Sequence, residues 1–500
     1  MSAIKSLLKD TAVYGLSSII GRFLNWCLVP LYVYLFAAEE YGIVSYLYSF
    51  TAVALVILNY GMETGLFRFA SKSETPNSVY RTCLEAVGTT SIIFILLLSC
   101  FIRPISDAIL MKGHPEYVWM LGVTVALDAF SNIPFAWLRL KNKAWRFAGI
   151  KILNVLLNIS LNLFFLLLCP KLEMSAPGAI DWFYTPLGGK GFGIGWIFVA
   201  NLISTVVVLL CLLPELRGAA KGRFDMPTLK RMVGYSWPLL VLGVAGVLSQ
   251  NMGQILIPYI FSGHETEARA MVGIYGANIK IAIVMVMFTQ AFRYAYEPFI
   301  FARAGKEGES KKQAYADAMK FFVIFAFFIF LGVMFFLPVL KHFISPGYWE
   351  GLRIVPIMMG AEICFGIYYN LSLWYKLTDR TAWGMYLSLT CFVIMLLLNL
   401  WLVRLIGIPD GYLGSAWAAL GSYFLVMLLS WILGQKYYPI RYPLGRMALY
   451  GIVAILLWIA GEKLCFDSAM WLTYITRSIL LIGYLGLIIL TERRPKKKLS

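Results

Sequence analysis

Three permanent cations stand inside apolar runs long enough to cross a bilayer: Arg22, Lys280 and Arg293. Arg22 sits near the middle of "TAVYGLSSIIGRFLNWCLVPLYVYLF", and a helix needs about 20 apolar residues to span the hydrocarbon core. A cation at that depth costs about 2.5–3.5 kcal/mol on insertion scales, so it faces a bundle interior or water. Ser18, Gly21 and Asn25 share its face at helical spacing. A guanidinium in such a stripe suits phosphate oxygens, and so a diphosphate or an acidic sugar. The competing reading is a structural ion pair with a carboxylate of a neighbouring helix.

The eighth apolar segment carries Asn278, Lys280, Gln290, Arg293 and Glu297. Arg293 and Glu297, four apart, can pair on one face, as a latch or beside a ligand. Lys280 lies about 20 Å along the axis from Arg293, so two cations at two depths could pass an anionic headgroup along a cavity. Lys280 could equally snorkel to the interface. Elsewhere Lys151, Asn154, Asn158 and Asn162 line one face of the fifth segment. The fourth adds Asp128, Ser131 and Asn132, the seventh Gln250, Asn251 and Gln254, and the tenth Glu362. Such amide stripes either line a cavity or hold helices together. Glu362 could bind a proton or cation, or counter one of the arginines. Glu63, Arg68, Arg139 and Arg146 stand at segment ends, where solvation is cheap and topology and packing explain them better than a gate does.

These side chains need helices to hold them. The 500 residues are 60% hydrophobic and only 14% charged, against roughly 25% charged in a soluble protein. The fold class is an all-α integral membrane protein. Hydrophobic windows predict about fourteen spans, near 10–36, 41–67, 82–102, 117–138, 147–169, 192–213, 232–260, 271–301, 321–340, 353–375, 381–403, 412–434, 445–462 and 469–490. The longest connector, Pro170 to Gly191, is too short for a soluble domain. Of the 43 Lys and Arg, 29 fall in alternate connectors on the side of the termini and nine on the opposite side. That asymmetry puts both termini in the cytoplasm. The net charge of +17 is therefore topology, and no nucleic-acid partner is expected. "LKDTAVYG" and "LKRMVGYS" open the first and seventh segments alike, each followed by a late proline, Pro30 and Pro258. The repeat predicts two pseudo-symmetric six-helix lobes, 1–222 and 223–436, which would meet at a site near the midplane. Two extra helices and a basic tail follow at 437–500.

Other chemistries lack their residues. The eight cysteines include no CxxC pair and the three histidines fall in short loops, so neither a metal nor another cofactor is expected. There is no P-loop, no DxD-like loop and no nucleophile–base arrangement, and an enzyme is not expected. The first apolar segment is too long for a cleavable signal peptide.

"GRFLNWCLVPLYVYLFAAEEYGIVSYLYSF", with Arg22 before Pro30-Leu31-Tyr32 and then Glu40-Tyr41-Gly42, resembles the opening of bacterial polysaccharide-biosynthesis flippases. "YGMETGLFRFAS", "IPFAWLRLKNKAWRFAGIKILNVLLNISLNLFF" and "FTQAFRYAYEPFIFARAGKE" resemble later stretches of the same family, in order, to about residue 320. The resemblance is to Wzx-type oligosaccharide flippases of the multidrug/oligosaccharidyl-lipid/polysaccharide (MOP) exporter superfamily. It implies two lobes around a central cavity that opens alternately to each side of a bacterial inner membrane. It also implies transfer of undecaprenyl-diphosphate-linked oligosaccharide, an O-antigen, capsule or exopolysaccharide unit, to the periplasmic leaflet. Cationic cavity residues are implied, and Arg22, Lys280 and Arg293 fit by position. Glu63, Asp128, Glu297 and Glu362 would pair, gate or couple an H⁺ or Na⁺ gradient. Ser18, Asn25, Lys151, Asn154, Asn158, Gln250, Gln254, Asn278 and Gln290 would line the cavity. Membrane lipids, a polysaccharide polymerase and a chain-length regulator are the expected partners. Two rivals stay open: a drug or cation exporter of the same fold, and a membrane polysaccharide polymerase or ligase.

Overall fold

The computed structural model describes residues 20–21, 23–175, 180, 183–185, 188–302, 309–378, 380, 382–464 and 470–493. Ser18, Arg22 and the side chain of Glu297 lie outside the described residues. Among those described, thirteen helices are long and apolar enough to cross a membrane, and a shorter apolar helix runs Phe23–Leu35. The chain is a multi-pass, all-helical membrane protein, as its composition predicts. Leucines and isoleucines such as Ile92, Leu96 and Leu97 are more than half or about half exposed, which suits a surface solvated by lipid rather than water.

Packing divides the chain into two compact units, Met1–Ala270 and Met271–Ser500. In the first, α1 (Leu28–Leu35) leads into α2 (Ala38–Asn59), whose N-terminal backbone N–H at Ala37 donates to Glu40 at 3.1 Å. The helix then breaks. Tyr60 and Gly61 have φ of 28° and 74°, and α3 (Met62–Ala70) follows. A Cβ on Gly61 would stand 3.0 Å from Ser236 Cβ and 3.1 Å from Ser236 O, so the break also admits a close crossing that only glycine allows.

Helix α4 (Pro76–Cys100) and α5 (Pro115–Leu140) each begin on proline, whose missing N–H falls where no helical partner exists. The rings of Tyr80 and Trp137 stack at 4.4 Å to join them. Helix α6 (Ala144–Leu163) passes into a π-turn, Phe164–Leu168, and then a further helical segment, Cys169–Ser175. The hydrophobic window predicts an end near 169, whereas the helical segment runs to Ser175. The π-turn carries the chain past Pro170, which cannot donate an ordinary helical bond. Beyond it, Trp196 stacks between Phe165 and Tyr184 and donates to the Gly189 carbonyl at 2.8 Å. Burial pushes the Tyr184 phenol up to about 12.

Helix α7 (Gly195–Ala220) precedes α8 (Met226–Ile260), which is capped by Asp225 accepting from the Thr228 N–H at 3.2 Å. Helix α8 packs on α2 and α3, so the packing division falls after it. The lobe boundary at 222/223 rests on the sequence repeat and stays an expectation.

The long helix α9 (Glu265–Ala302) runs into the second unit. There α10 (Glu309–Phe335), α11 (Ile354–Leu371), α12 (Ala382–Ile406) and α13 (Gly411–Tyr437) pack together. A Cβ on Gly414 would stand 2.7 Å from the backbone of Leu402 and Val403, so α12 and α13 touch main chain to main chain. The extra pair, α14 (Leu444–Lys463) and α15 (Met470–Arg493), packs on α10.

Candidate functional site

The densest set of intramembrane charges in the first unit is built on α3, α5, α6 and α7. On α5, Asp128 and Arg139 are eleven residues apart, close to three full turns, so both project from one face about 16 Å apart along the axis. Asp128 accepts a hydrogen bond from Thr205 of α7 at 3.3 Å and lies within electrostatic reach of Lys151 on α6. Lys151 also feels Glu63 and Arg139, and its ammonium sits 4.0 Å from the centre of the Phe135 ring. Arg139 closes the set by an ion pair to Glu63 on α3. Its guanidinium lies 5.1 Å from the Phe67 ring and 5.7 Å from the Phe147 ring. Two cations and two carboxylates thus offset one another across three helices, with a threonine from a fourth. Low dielectric makes such pairs strong and makes an unpaired member costly.

Glu63, expected from sequence to pair with a cavity cation, to gate or to couple an ion gradient, stands in an ion pair with Arg139. Arg139, read from sequence as a topology residue, joins the network. The signal was present in its eleven-residue spacing from Asp128.

Several amides hold helices together. Asn162 donates to the backbone and side-chain oxygens of Asn158 at 2.8 and 2.9 Å and accepts from the Tyr32 hydroxyl at 3.0 Å, tying α1 to α6. Gln254 of α8 accepts from Ser49 of α2. Asn154 is half-buried, while Asn25 and Gln250 are exposed on their own unit. Asn278, expected as a cavity-lining group, is fully buried and donates to the carbonyls of Ile274 and Tyr348 at 2.8 and 2.9 Å. Its amide anchors the 3₁₀ turn at Pro346–Arg353 to α9.

In the second unit Lys280 and Gln290 are half-buried on α9. The Arg293 guanidinium lies 5.3 Å from the centre of the Tyr369 ring, and the Lys376 ammonium lies 4.9 Å from the same ring. Sequence reasoning assigned Lys376 to a connector and did not see that it shares an aromatic partner with Arg293. Glu362 of α11 is half-buried, within electrostatic reach of Tyr275 and Tyr423. At another helix end, Glu215 of α7 is almost fully buried and takes Arg146 at 3.1 Å and Lys143 at 3.4 Å. The basic start of α6 is thereby fixed to the end of α7. Chemically, the protein presents permanent cations on aromatic faces and carboxylates within a membrane, a constitution suited to binding anions and exchanging small cations.

No curated protein matches the chain. Among solved structures, it is similar to the inward-facing conformation of a multidrug resistance MATE family transporter of the MOP superfamily. That likeness has a TM-score of 0.64 and 14% identity, over 83% of this chain and 94% of that one. It is similar to the lipid II flippase MurJ in an inward closed conformation, with a TM-score of 0.65 and 12% identity, over 97% and 100% of the two chains. A MATE structure in the straight conformation matches with a TM-score of 0.61 and 14% identity, over 86% and 95%. At these identities the likeness concerns the fold. The family model described as polysaccharide biosynthesis protein matches residues 7–302, more than half of the sequence, and the chain belongs to that family.

Proposed function

We propose that the protein flips a polyprenyl-diphosphate-linked oligosaccharide, of the O-antigen, capsule or exopolysaccharide class, from the cytoplasmic to the periplasmic leaflet of a bacterial inner membrane. Membership of the polysaccharide biosynthesis family carries this reading. The fold shared with transporters and a flippase supports alternating access as the means. Arg22, Lys280 and Arg293 would engage the diphosphate or acidic sugars, with Lys376 joining Arg293 beside Tyr369. A diphosphate brings several negative charges at once, and cations at more than one depth let it move without crossing hydrocarbon unescorted. The Glu63–Arg139 pair with Asp128 and Lys151 would link substrate movement to a proton or Na⁺ gradient. Both termini would lie in the cytoplasm, the protein would act as a carrier and not an enzyme, and a polymerase with its chain-length regulator would consume the product.

Deletion of the gene in its host tests this. The reading expects the lipid-linked repeat unit to accumulate, shielded in intact cells from an impermeant glycan-oxidising reagent. A mutant that makes normal surface polysaccharide, or one that accumulates polyprenyl carrier without glycan, would contradict it.

A further inference from the structure

A groove of about 710 Å³ runs along the side of the first unit between the end of α2 and the first halves of α4 and α8. Its walls are Ile57 and Tyr60 of α2 and the helix break, Ala86, Thr89 and Thr90 of α4, and Val233 and Trp237 of α8. From Leu229 to Leu240 it extends about 16 Å along α8. All three helices are long and apolar enough to span a membrane, so the groove opens to lipid.

Two of its polar lining side chains have partners of their own. The Thr90 hydroxyl donates to the Val87 and Ala86 carbonyls at 3.0 and 3.2 Å, and Glu85 holds Arg81 at 2.6 Å. One end is built with particular care. The loop at 222–225 is fixed to the start of α4 by Arg81 donating to the Gly222 carbonyl at 3.0 Å. The Arg223 N–H donates to Ser78 at 3.1 Å, and the Asp225 N–H donates to Thr82 at 3.0 Å. These bonds hold Phe224 over the groove. Arg223 and Lys230, both exposed, flank the lining residues Phe224 and Leu229 in sequence, and Arg81 is half-exposed beside them.

We propose that this groove seats one acyl chain of an anionic phospholipid, with its phosphodiester at the Arg81–Arg223–Lys230 end. Apolar walls with a cationic mouth complement a hydrocarbon chain joined to a phosphate. An extended protein segment fits less well, since its backbone N–H and C=O groups would find no partners along such walls. The seated chain bears on Tyr60, where α2 breaks, and Glu63 of the charge network lies less than one turn beyond. The lipid therefore steadies the break from which the network is hung.

The test is photolabelling of the full-length protein in vesicles containing phosphatidylglycerol with a diazirine in mid-chain, with labelled peptides mapped by mass spectrometry. Labelling should concentrate on Glu85–Thr90 and Val233–Leu240 several-fold over the lipid-facing stretch Ile452–Ile459 of α14. Filling the groove with Ala86→Trp, or independently Val233→Trp, should abolish the excess while α14 labels as before. Equal labelling of the two faces in the parent protein would overturn the proposal. So would an excess that survives both tryptophans, or one displaced by a few polyprenyl phosphates per protein, which would give the groove to the carrier lipid.

Discussion

Arg477 of α15 donates through Nη1 to the carbonyl of Phe335, 142 residues earlier, at 2.9 Å, and through Nε to the carbonyl of Gly461 at 3.3 Å. Phe335 ends α10 and Gly461 lies in the last turn of α14. One guanidinium, only 3% exposed, thus satisfies orphan carbonyls at two helix C-termini, where partial negative charge gathers. The other end of the same helix pair is tied by Glu492, which takes Lys320 of α10 at 2.5 Å, the Tyr450 hydroxyl at 2.8 Å and Arg446 at 3.6 Å. Helices α14 and α15 are therefore tied to α10 at both ends.

Arg477→Met should leave two buried carbonyls without partners, at about 1–3 kcal/mol each. A lowered thermal midpoint in detergent should follow, with faster proteolysis between α13 and α14. Arg477→Lys should recover only part of the loss, because an ammonium cannot reproduce the guanidinium's fork. An unchanged midpoint in the methionine variant would mean that packing alone docks the pair.

Asp128 and Lys151 should be coupled. Lys151→Met and Asp128→Asn should each destabilise the protein, and the double variant should lose less than the sum. The expected coupling is about 1–3 kcal/mol in a double-mutant cycle. If the single losses simply add, the two groups act separately and the network does not extend beyond the Glu63–Arg139 pair. A double variant that folds well but no longer transports would assign the charges to coupling rather than to assembly.

Gly61→Ala should be harmful although it adds one methyl group. The residue has φ of 74°, a region that costs an L-residue about 1–2 kcal/mol, and the new Cβ would press on Ser236. The companion Ser236→Gly should relieve the contact with the Ser236 Cβ but neither the one with its carbonyl nor the backbone strain. Recovery by half or less in the Gly61→Ala/Ser236→Gly pair, read by thermal midpoint, is the expected outcome. Full recovery would show that crowding alone was at fault.

Much of this fold could be read from residue order because a membrane imposes a simple rule: the backbone must bond within each span, and each span must be apolar. Span number followed from that rule, and the fifth span outruns its hydrophobic window because a π-turn carries the helix on toward Ser175. The site was harder. Lys151 with its asparagine stripe was visible at helical spacing, and so was the place of Arg293 within an apolar run. The partners were not, since ion pairing between helices depends on which faces meet. Glu63 reached Arg139 through a break at Tyr60–Gly61 that helical periodicity does not reveal. Arg477 falls within the last apolar span by sequence, with no partner legible there, yet the two carbonyls that claim it come from helices 142 and 16 residues away.

The most direct measurement of the central claim is transbilayer movement of a fluorescent polyprenyl-diphosphate oligosaccharide in proteoliposomes, comparing the parent protein with Arg293→Ala and Lys376→Ala. The parent should move the glycan to the opposite face far faster than protein-free vesicles do, and each alanine variant, folded by thermal midpoint, should slow it at least tenfold. Failure of the parent to move any such lipid, in vesicles where it does expel a cationic dye, would contradict the account and make the protein a cation exporter.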